Sequence, residues 1–151
     1  MRHIREGLAQ EGPLCHSGAK KMPGTEQVIM NRVLILFAHP RFEKSRINRA
    51  LLEGVETLPG VTLRDLYEIY PDFNIDTARE RELLASHDVI VWHFPFYLYS
   101  APALLKQWMD WVLEHGWAHG TQTLALKGKM ALVALTLGGT RSTYGPDGYH
   151  R

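Results

Sequence analysis

From residue 32 onward the apolar residues of this chain alternate between two rhythms. Residues 33–38 (VLILFA) form an unbroken β-prone run, as in a central parallel strand covered on both faces. Ile47, Leu51, Val55 and Leu58 then recur at helical spacing, with Ser45 placed to cap and Pro59-Gly60 to stop, which predicts a helix over 45–58. Residues 61–67 (VTLRDLY) alternate and predict a strand on the edge side of a sheet, followed by a loop over 70–76. A short charged helix is predicted over 77–86, capped by Asp76 or Thr77, and a buried strand over 88–94. Leu104, Leu105, Trp108, Met109, Val112 and Leu113 form a helical stripe within 102–115. A loop over 116–128, a last strand over 129–137 and a loop over 138–151 complete the reading.

The order βαβαβαβ implies an α/β protein with a doubly wound parallel sheet and right-handed crossovers. A five-stranded domain of this kind needs one more strand and helix than the pattern supplies, so the expectation is a domain over 32–151 lacking its last strand and helix. Residues 1–31 have no periodicity and read as a disordered extension, with Met22 or Met30 as the expected natural start. The composition of the 151 residues, 45% hydrophobic and 22% charged, suits one globular domain. A net charge of +1 gives no reason to expect nucleic acid or an anionic membrane surface as partner. The single cysteine, Cys15, excludes an internal disulfide framework. No apolar run reaches the roughly 20 residues of a membrane span, and the first residues lack a secretory core, so a cytoplasmic location is expected.

Ligands of open parallel sheets bind beyond the carboxyl ends of the strands, and three such ends carry candidate chemistry. The first, RVLILFAHP, leads to Ser45 and Asn48, whose side chains and nearby backbone N–H groups can hold a phosphate beside His39. The bland alternative is a capped helix after a strand; neither GxGxxG nor a P-loop is present. The second end, PFYLYSAP, offers Phe96, Tyr97, Leu98 and Tyr99 to a flat amphipathic ring, or else packs under its own helix or against a partner. The third, TLGGT, has Gly138 and Gly139, where positive φ and close backbone approach are available, or an ordinary turn. Tyr144 and His150 follow, as charge-buffering groups or as plain loop residues. His93 reads as a core or pocket-wall residue, and Trp108, Trp111 and Trp117 as core and interface residues. Without CxxC or GxSxG, neither a metal site nor a nucleophilic triad is expected.

In order along the chain, LILFAHP, SRINRALLE, DLYEIYPDFNID, VIVWHFPFYLYSAPALLKQWMDWVL, HGWAHG, ALKGK and TLGGTRSTYGPDGYH are jointly specific. Together they resemble the flavodoxin-like NAD(P)H:quinone oxidoreductase family, and within it the ancillary subunits of bacterial glutathione-regulated potassium-efflux systems. The resemblance implies a flavodoxin-like fold and a flavin, FMN in the efflux-associated branch and FAD in the larger reductases, with NAD(P)H as electron donor. It implies that His39, Ser45, Arg46, Ile47 and Asn48 surround the phosphate. Phe96, Tyr97, Leu98 and Tyr99 would line the isoalloxazine, Thr136, Leu137, Gly138 and Gly139 would contact its pyrimidine side, and Tyr144 and His150 would assist hydride transfer. The implied reaction is two-electron, ping-pong reduction of quinones or other electrophiles by a homodimer, with a membrane potassium-efflux protein as partner. A non-catalytic, flavin-binding regulator of such a channel is the alternative. A one-electron flavodoxin is disfavoured by the near-neutral charge. Family members continue for a further strand and helix, without which residues 131–137 become an exposed apolar edge and an aggregation hazard.

Overall fold

The computed structural model describes residues 31–121 and 125–149. The extension expected over 1–31 thus lies almost wholly outside the described residues. Strands β1 (Val33–Phe37), β2 (Val61–Asp65), β3 (Val89–Pro95) and β4 (Met130–Thr136) alternate with helices α1 (Arg46–Leu52), α2 (Leu66–Ile69), α3 (Thr77–Ser86) and α4 (Ala103–Val112). Short 3-10 turns occupy Phe42–Lys44, Val55–Thr57 and Arg141–Tyr144. The strands form one parallel sheet in the order β2-β1-β3-β4. Phe37 lies opposite both Asp65 and His93, and Pro95 opposite Thr136, so the carboxyl ends of the strands share one rim. The chain first steps from β1 outward to β2, then back across β1 to β3. The winding therefore reverses between β1 and β3, where the connections diverge and leave a crevice.

One face of the sheet carries the core. Leu34, Leu36, Ile90 and Phe94 cluster with Leu84, Leu104, Leu105, Trp108 and Val112, all buried. Of the predicted stripe, Leu104, Leu105, Trp108 and Val112 are buried and Met109 and Leu113 partly buried, and the regular helix ends at Val112. Arg81 reaches across from α3 to the end of α4. Its guanidinium donates to the carbonyls of Trp111 and Val112, pairs with Glu114 and lies over the Trp117 ring at 5.4 Å. Carbonyls that the helix end leaves without partners are thereby satisfied.

Within this core sits a fully buried carboxylate, Glu80. It accepts hydrogen bonds from the Tyr70 hydroxyl (2.8 Å) and the Trp108 indole (3.0 Å), and pairs with Arg64 of β2. Four segments are joined through one side chain. Burial, reinforced by the Glu80 carboxylate, pushes the Tyr70 phenol up to about 12, so it stays a donor throughout the physiological range.

Two expectations require correction. The helix predicted over 45–58 stops at Leu52, because Gly54 turns left-handed (φ 75°) and the chain tightens into a 3-10 turn. Its apolar stripe is not the buried face: Ile47, Leu51 and Leu58 are exposed, whereas Asn48 is 2% exposed. Hydrogen bonding, described below, outweighs hydrophobic spacing there. The strand predicted over 61–67 ends at Asp65, whose carboxylate accepts the N–H groups of Tyr67 and Glu68 and starts α2. The expected helix over 77–86 is found unchanged, with Asp76 as its cap. β4 lies at the sheet edge, with Met130, Leu132, Val133 and Leu135 exposed.

Replacing Glu80 by Ala strands buried donors and an arginine, and is expected to cost about 3–5 kcal/mol. The exposed Glu82→Ala change should stay within about 0.5 kcal/mol. Urea unfolding of both variants beside the parent checks the contrast.

Candidate functional site

At the rim, β1 runs on through Ala38, whose N–H donates to the His93 carbonyl at 3.0 Å, and delivers His39 to the crevice. His39 is 8% exposed. The Arg41 N–H donates to His39 Nδ1 at 3.1 Å, so in the neutral ring the proton is on Nε2. Burial lowers the His39 pKa, against smaller raising effects that include Glu43 and Asp65. Phe37 packs edge-on against Phe42 and His93, and His39 against Tyr97, so the strand ends are held by ring contacts.

Asn48 is the joint beneath the crevice. His93 Nε2 donates to Asn48 Oδ1 at 2.9 Å. Asn48 Nδ2 then donates to Ser45 Oγ at 2.8 Å and Thr136 Oγ1 at 3.1 Å. Ser45 also caps α1 by accepting the Asn48 backbone N–H at 3.3 Å. With both lone pairs of Ser45 Oγ engaged, its hydroxyl proton is left to be donated outward, and the Thr136 hydroxyl is biased the same way. The His93 pKa is lowered by burial, with the His39 charge as a smaller contribution.

The other wall is a tight turn. Tyr97 and Ser100 exchange backbone hydrogen bonds at 3.0 and 2.8 Å, leaving Leu98 and Tyr99 as the central pair with φ of 41° and 61°. Left-handed backbone at two consecutive bulky residues is strained, and such strain clusters at ligand sites. Leu98 is 91% exposed, so burial does not compensate for it. The Phe96 N–H donates to the Thr136 carbonyl at 2.8 Å and fastens the turn to β4.

Between these walls lies a groove of about 880 Å³. The expected His39, Ser45, Arg46, Ile47, Asn48, Phe96, Tyr97, Thr136, Leu137 and Gly138 all line it. Leu98, Tyr99 and Tyr144 join Phe96 around a neighbouring hollow of about 240 Å³. Gly139 stands against Tyr144, where an added Cβ would come within 2.8 Å of the ring. Neither Gly138 nor Gly139 has positive φ, so space and not backbone latitude accounts for Gly139; the left-handed residues of the site are Leu98 and Tyr99. His150 lies outside the described residues. Sequence reasoning missed Arg41, Lys44, Ala50 and Pro95, which also line the groove. The cations of the HPRFEKS segment were the available signal for two of them. It also left open the role of His93, a polar residue inside an apolar strand. Among the described residues no group of three metal-ligating side chains occurs, and no helix is long and apolar enough to cross a membrane.

Residues 31–151 match the family of flavodoxin-like fold. The chain belongs to that family. It is 49% identical over 112 residues to the glutathione-regulated potassium-efflux system ancillary protein KefF of Klebsiella aerogenes, covering 74% of this chain and 63% of the relative. Among solved structures it is 40% identical to general stress protein 14 of Treponema denticola in complex with FMN (TM-score 0.74), covering 78% of this chain and 68% of that one. It is 32% identical to an NADPH-quinone reductase from P. pentosaceus (TM-score 0.69), covering 78% and 66%. The chain thus spans a little under two thirds of the length of the curated relative.

Both rim histidines have folded-state pKa values below the ordinary 6.5. Their contribution to stability is therefore present above that value and is lost as pH falls below it. Urea midpoints should decline from about pH 7.5 to about pH 5.5. His93→Gln keeps a donor for Asn48 Oδ1 without titrating and should flatten part of the decline; an unchanged slope would place it elsewhere.

Proposed function

We propose that this chain is a flavin-dependent NAD(P)H:quinone reductase with FMN as its cofactor. The observation that supports this most is the pairing of a donor-rich groove with a strained aromatic turn at the point where the winding reverses. The groove offers Nε2–H of neutral His39, the Ser45 and Thr136 hydroxyls and three cations, and among the described residues no carboxylate lines it. That set fits a terminal phosphate, which only accepts hydrogen bonds. The apolar surfaces of Phe96, Tyr97 and the Leu98-Tyr99 turn fit a flat ring beside it. A solved relative holding FMN and another named as an NADPH-quinone reductase agree with both halves.

When bound, FMN would supply two-electron redox chemistry between NAD(P)H and a quinone or other electrophile. This chain's own part is positioning. Ser45, Thr136 and His39 would hold the phosphate end, with Asn48 orienting the hydroxyls from beneath, while residues 137–139 and the Phe96–Tyr99 turn would fix the ring end. Tyr144, lining the hollow beyond the turn, would supply a hydroxyl to charge developing at the ring, with His150 as its expected companion. Two copies would pair across the exposed Leu98-Tyr99 turn and Trp111, each covering the other's hollow.

A second reading is carried by the Klebsiella relative's name. As an ancillary protein of a glutathione-regulated potassium-efflux system, this chain would act from the cytoplasm on a membrane partner, and flavin occupancy would matter more than turnover. The two roles are compatible.

The test is to saturate the full chain with FMN, add NADPH without oxygen, and follow the flavin band. Bleaching that returns on adding a quinone supports the reductase. A band unmoved by NADPH or NADH would leave the regulatory reading, and FMN fluorescence unchanged by the protein would sink both. Tyr144→Phe should slow bleaching roughly 10- to 100-fold with little change in FMN affinity.

A further inference from the structure

The two edges of the sheet are built differently. β2, at one edge, is five residues long, carries Arg64 and Asp65, and is half-buried along its length. β4, at the other, is seven residues long (MALVALT), has no charge, proline or glycine, and is exposed from Met130 to Leu135. Edge strands that stay single are blunted by charge, proline, a bulge or shortness. β4 has none of these devices, and its register against β3 is unbroken from Met130 to Thr136.

The bonded side of β4 defines its free side. The Met130 N–H donates to the Asp88 carbonyl at 2.9 Å, and the Thr136 carbonyl accepts the Phe96 N–H at 2.8 Å. Backbone groups alternate in direction along a strand, so residues 130, 132, 134 and 136 bond toward β3. The N–H and C=O groups of Ala131, Val133 and Leu135 therefore point away from the sheet, and among the described residues no strand takes them.

That edge is its own complement. When a second β4 lies antiparallel against the first, with Val133 on a two-fold axis, Val133 meets Val133 and Ala131 meets Leu135. Each is a pair of outward-facing residues, so every free group of the edge finds a partner. The side chains agree with the backbone. Val133 lies opposite Trp92 of β3, which packs on the core, so Ala131, Val133 and Leu135 share the α4 face, and Leu132 and Ala134 share the other. Across the axis Leu135 falls beside Ala131 on one face and Leu132 beside Ala134 on the other, a large residue beside a small one each time. No charges are brought together. A slip by one residue would set these free groups against groups that β3 already uses.

We propose that β4 is a self-pairing interface, at which two copies of this chain join antiparallel about Val133 into one continuous sheet. The pairing uses neither the Leu98-Tyr99 turn nor a bound flavin. It consumes the edge on both copies, so it closes at two and does not propagate. A ladder of one strand buries less than the ~800 Å² per partner of a standard interface, so the association depends on concentration in the micromolar range.

The experiment is sedimentation velocity of the full chain over roughly 1–100 μM. Val133→Lys, at a position 59% exposed, sets two ammonium groups against each other on the axis and should weaken pairing at least about tenfold. At the upper concentrations the parent should have twice the mass of this variant. Val133→Glu should separate in the same way, through two carboxylates. An equimolar mixture of the two variants should recover the parental mass, because each lysine then faces a glutamate. Unchanged circular dichroism establishes that each variant is folded, and recovery in the mixture excludes a folding defect as the cause of the loss. A parent and a Val133→Lys variant of equal mass throughout overturn the proposal, whether both stay single or both pair through another surface. Variants that separate and do not recover on mixing overturn the two-fold register about Val133.

Discussion

Asn48 is the residue on which the architecture of the rim depends. A buried primary amide must satisfy two donors and an acceptor, and each of its bonds goes to a different element. The acceptor takes His93 of β3, one donor takes the Ser45 cap of α1, and the other takes Thr136 at the end of β4. Strands β3 and β4 and helix α1 thereby acquire a shared side-chain reference point at the carboxyl rim of the sheet. The same three bonds also decide which way the hydroxyls face, so the amide sets the polarity of the groove as well as its shape.

The opposite side of the sheet is held by an interaction of another kind. Glu80 is charged, buried and saturated with donors from Arg64, Tyr70 and Trp108. A carboxylate in that position is costly to desolvate and is retained only with its partners in place. It ties β2, the loop after α2, α3 and α4 into one support behind the strands. A rim that carries backbone strain at Leu98 and Tyr99 needs such a support, because the surrounding structure has to hold what the local backbone would relax.

Much of this was legible in the chain. The buried strands show as unbroken apolar runs because parallel strands are covered on both faces, and α4 as a six-residue stripe because its spacing matches the helical turn. Asp76 names the start of α3 because a carboxylate before a helix takes up free N–H groups. Of the groove residues, His39, Ser45 to Asn48, Phe96, Tyr97 and Thr136 to Gly138 were legible because strand ends in a doubly wound sheet converge. Less legible were places where a hydrogen bond defeats a pattern. Ile47 and Leu51 keep helical spacing and yet face outward, because Asn48 is drawn in beneath them. Arg41 and Lys44 look like ordinary surface cations until the fold places them in the lining of the same groove as Thr136 and Phe96.

The sequence by itself determined the α/β alternation, the parallel sheet and the strand ends at which a ligand would be held. Periodicity and capping are local physics, acting over a few residues. Only the tertiary structure decided that β1 and β3 are neighbours with the winding reversed between them, since strand order depends on long-range pairing. It alone decided that His93 orients Asn48, across 45 residues of sequence, and that Asn48 orients a hydroxyl 88 residues away. It also placed the left-handed backbone on Leu98 and Tyr99, which residue type argues against, while Gly138 and Gly139 stay outside that region. A polar group's partners are chosen by geometry after burial, and that choice has no periodic trace in the chain.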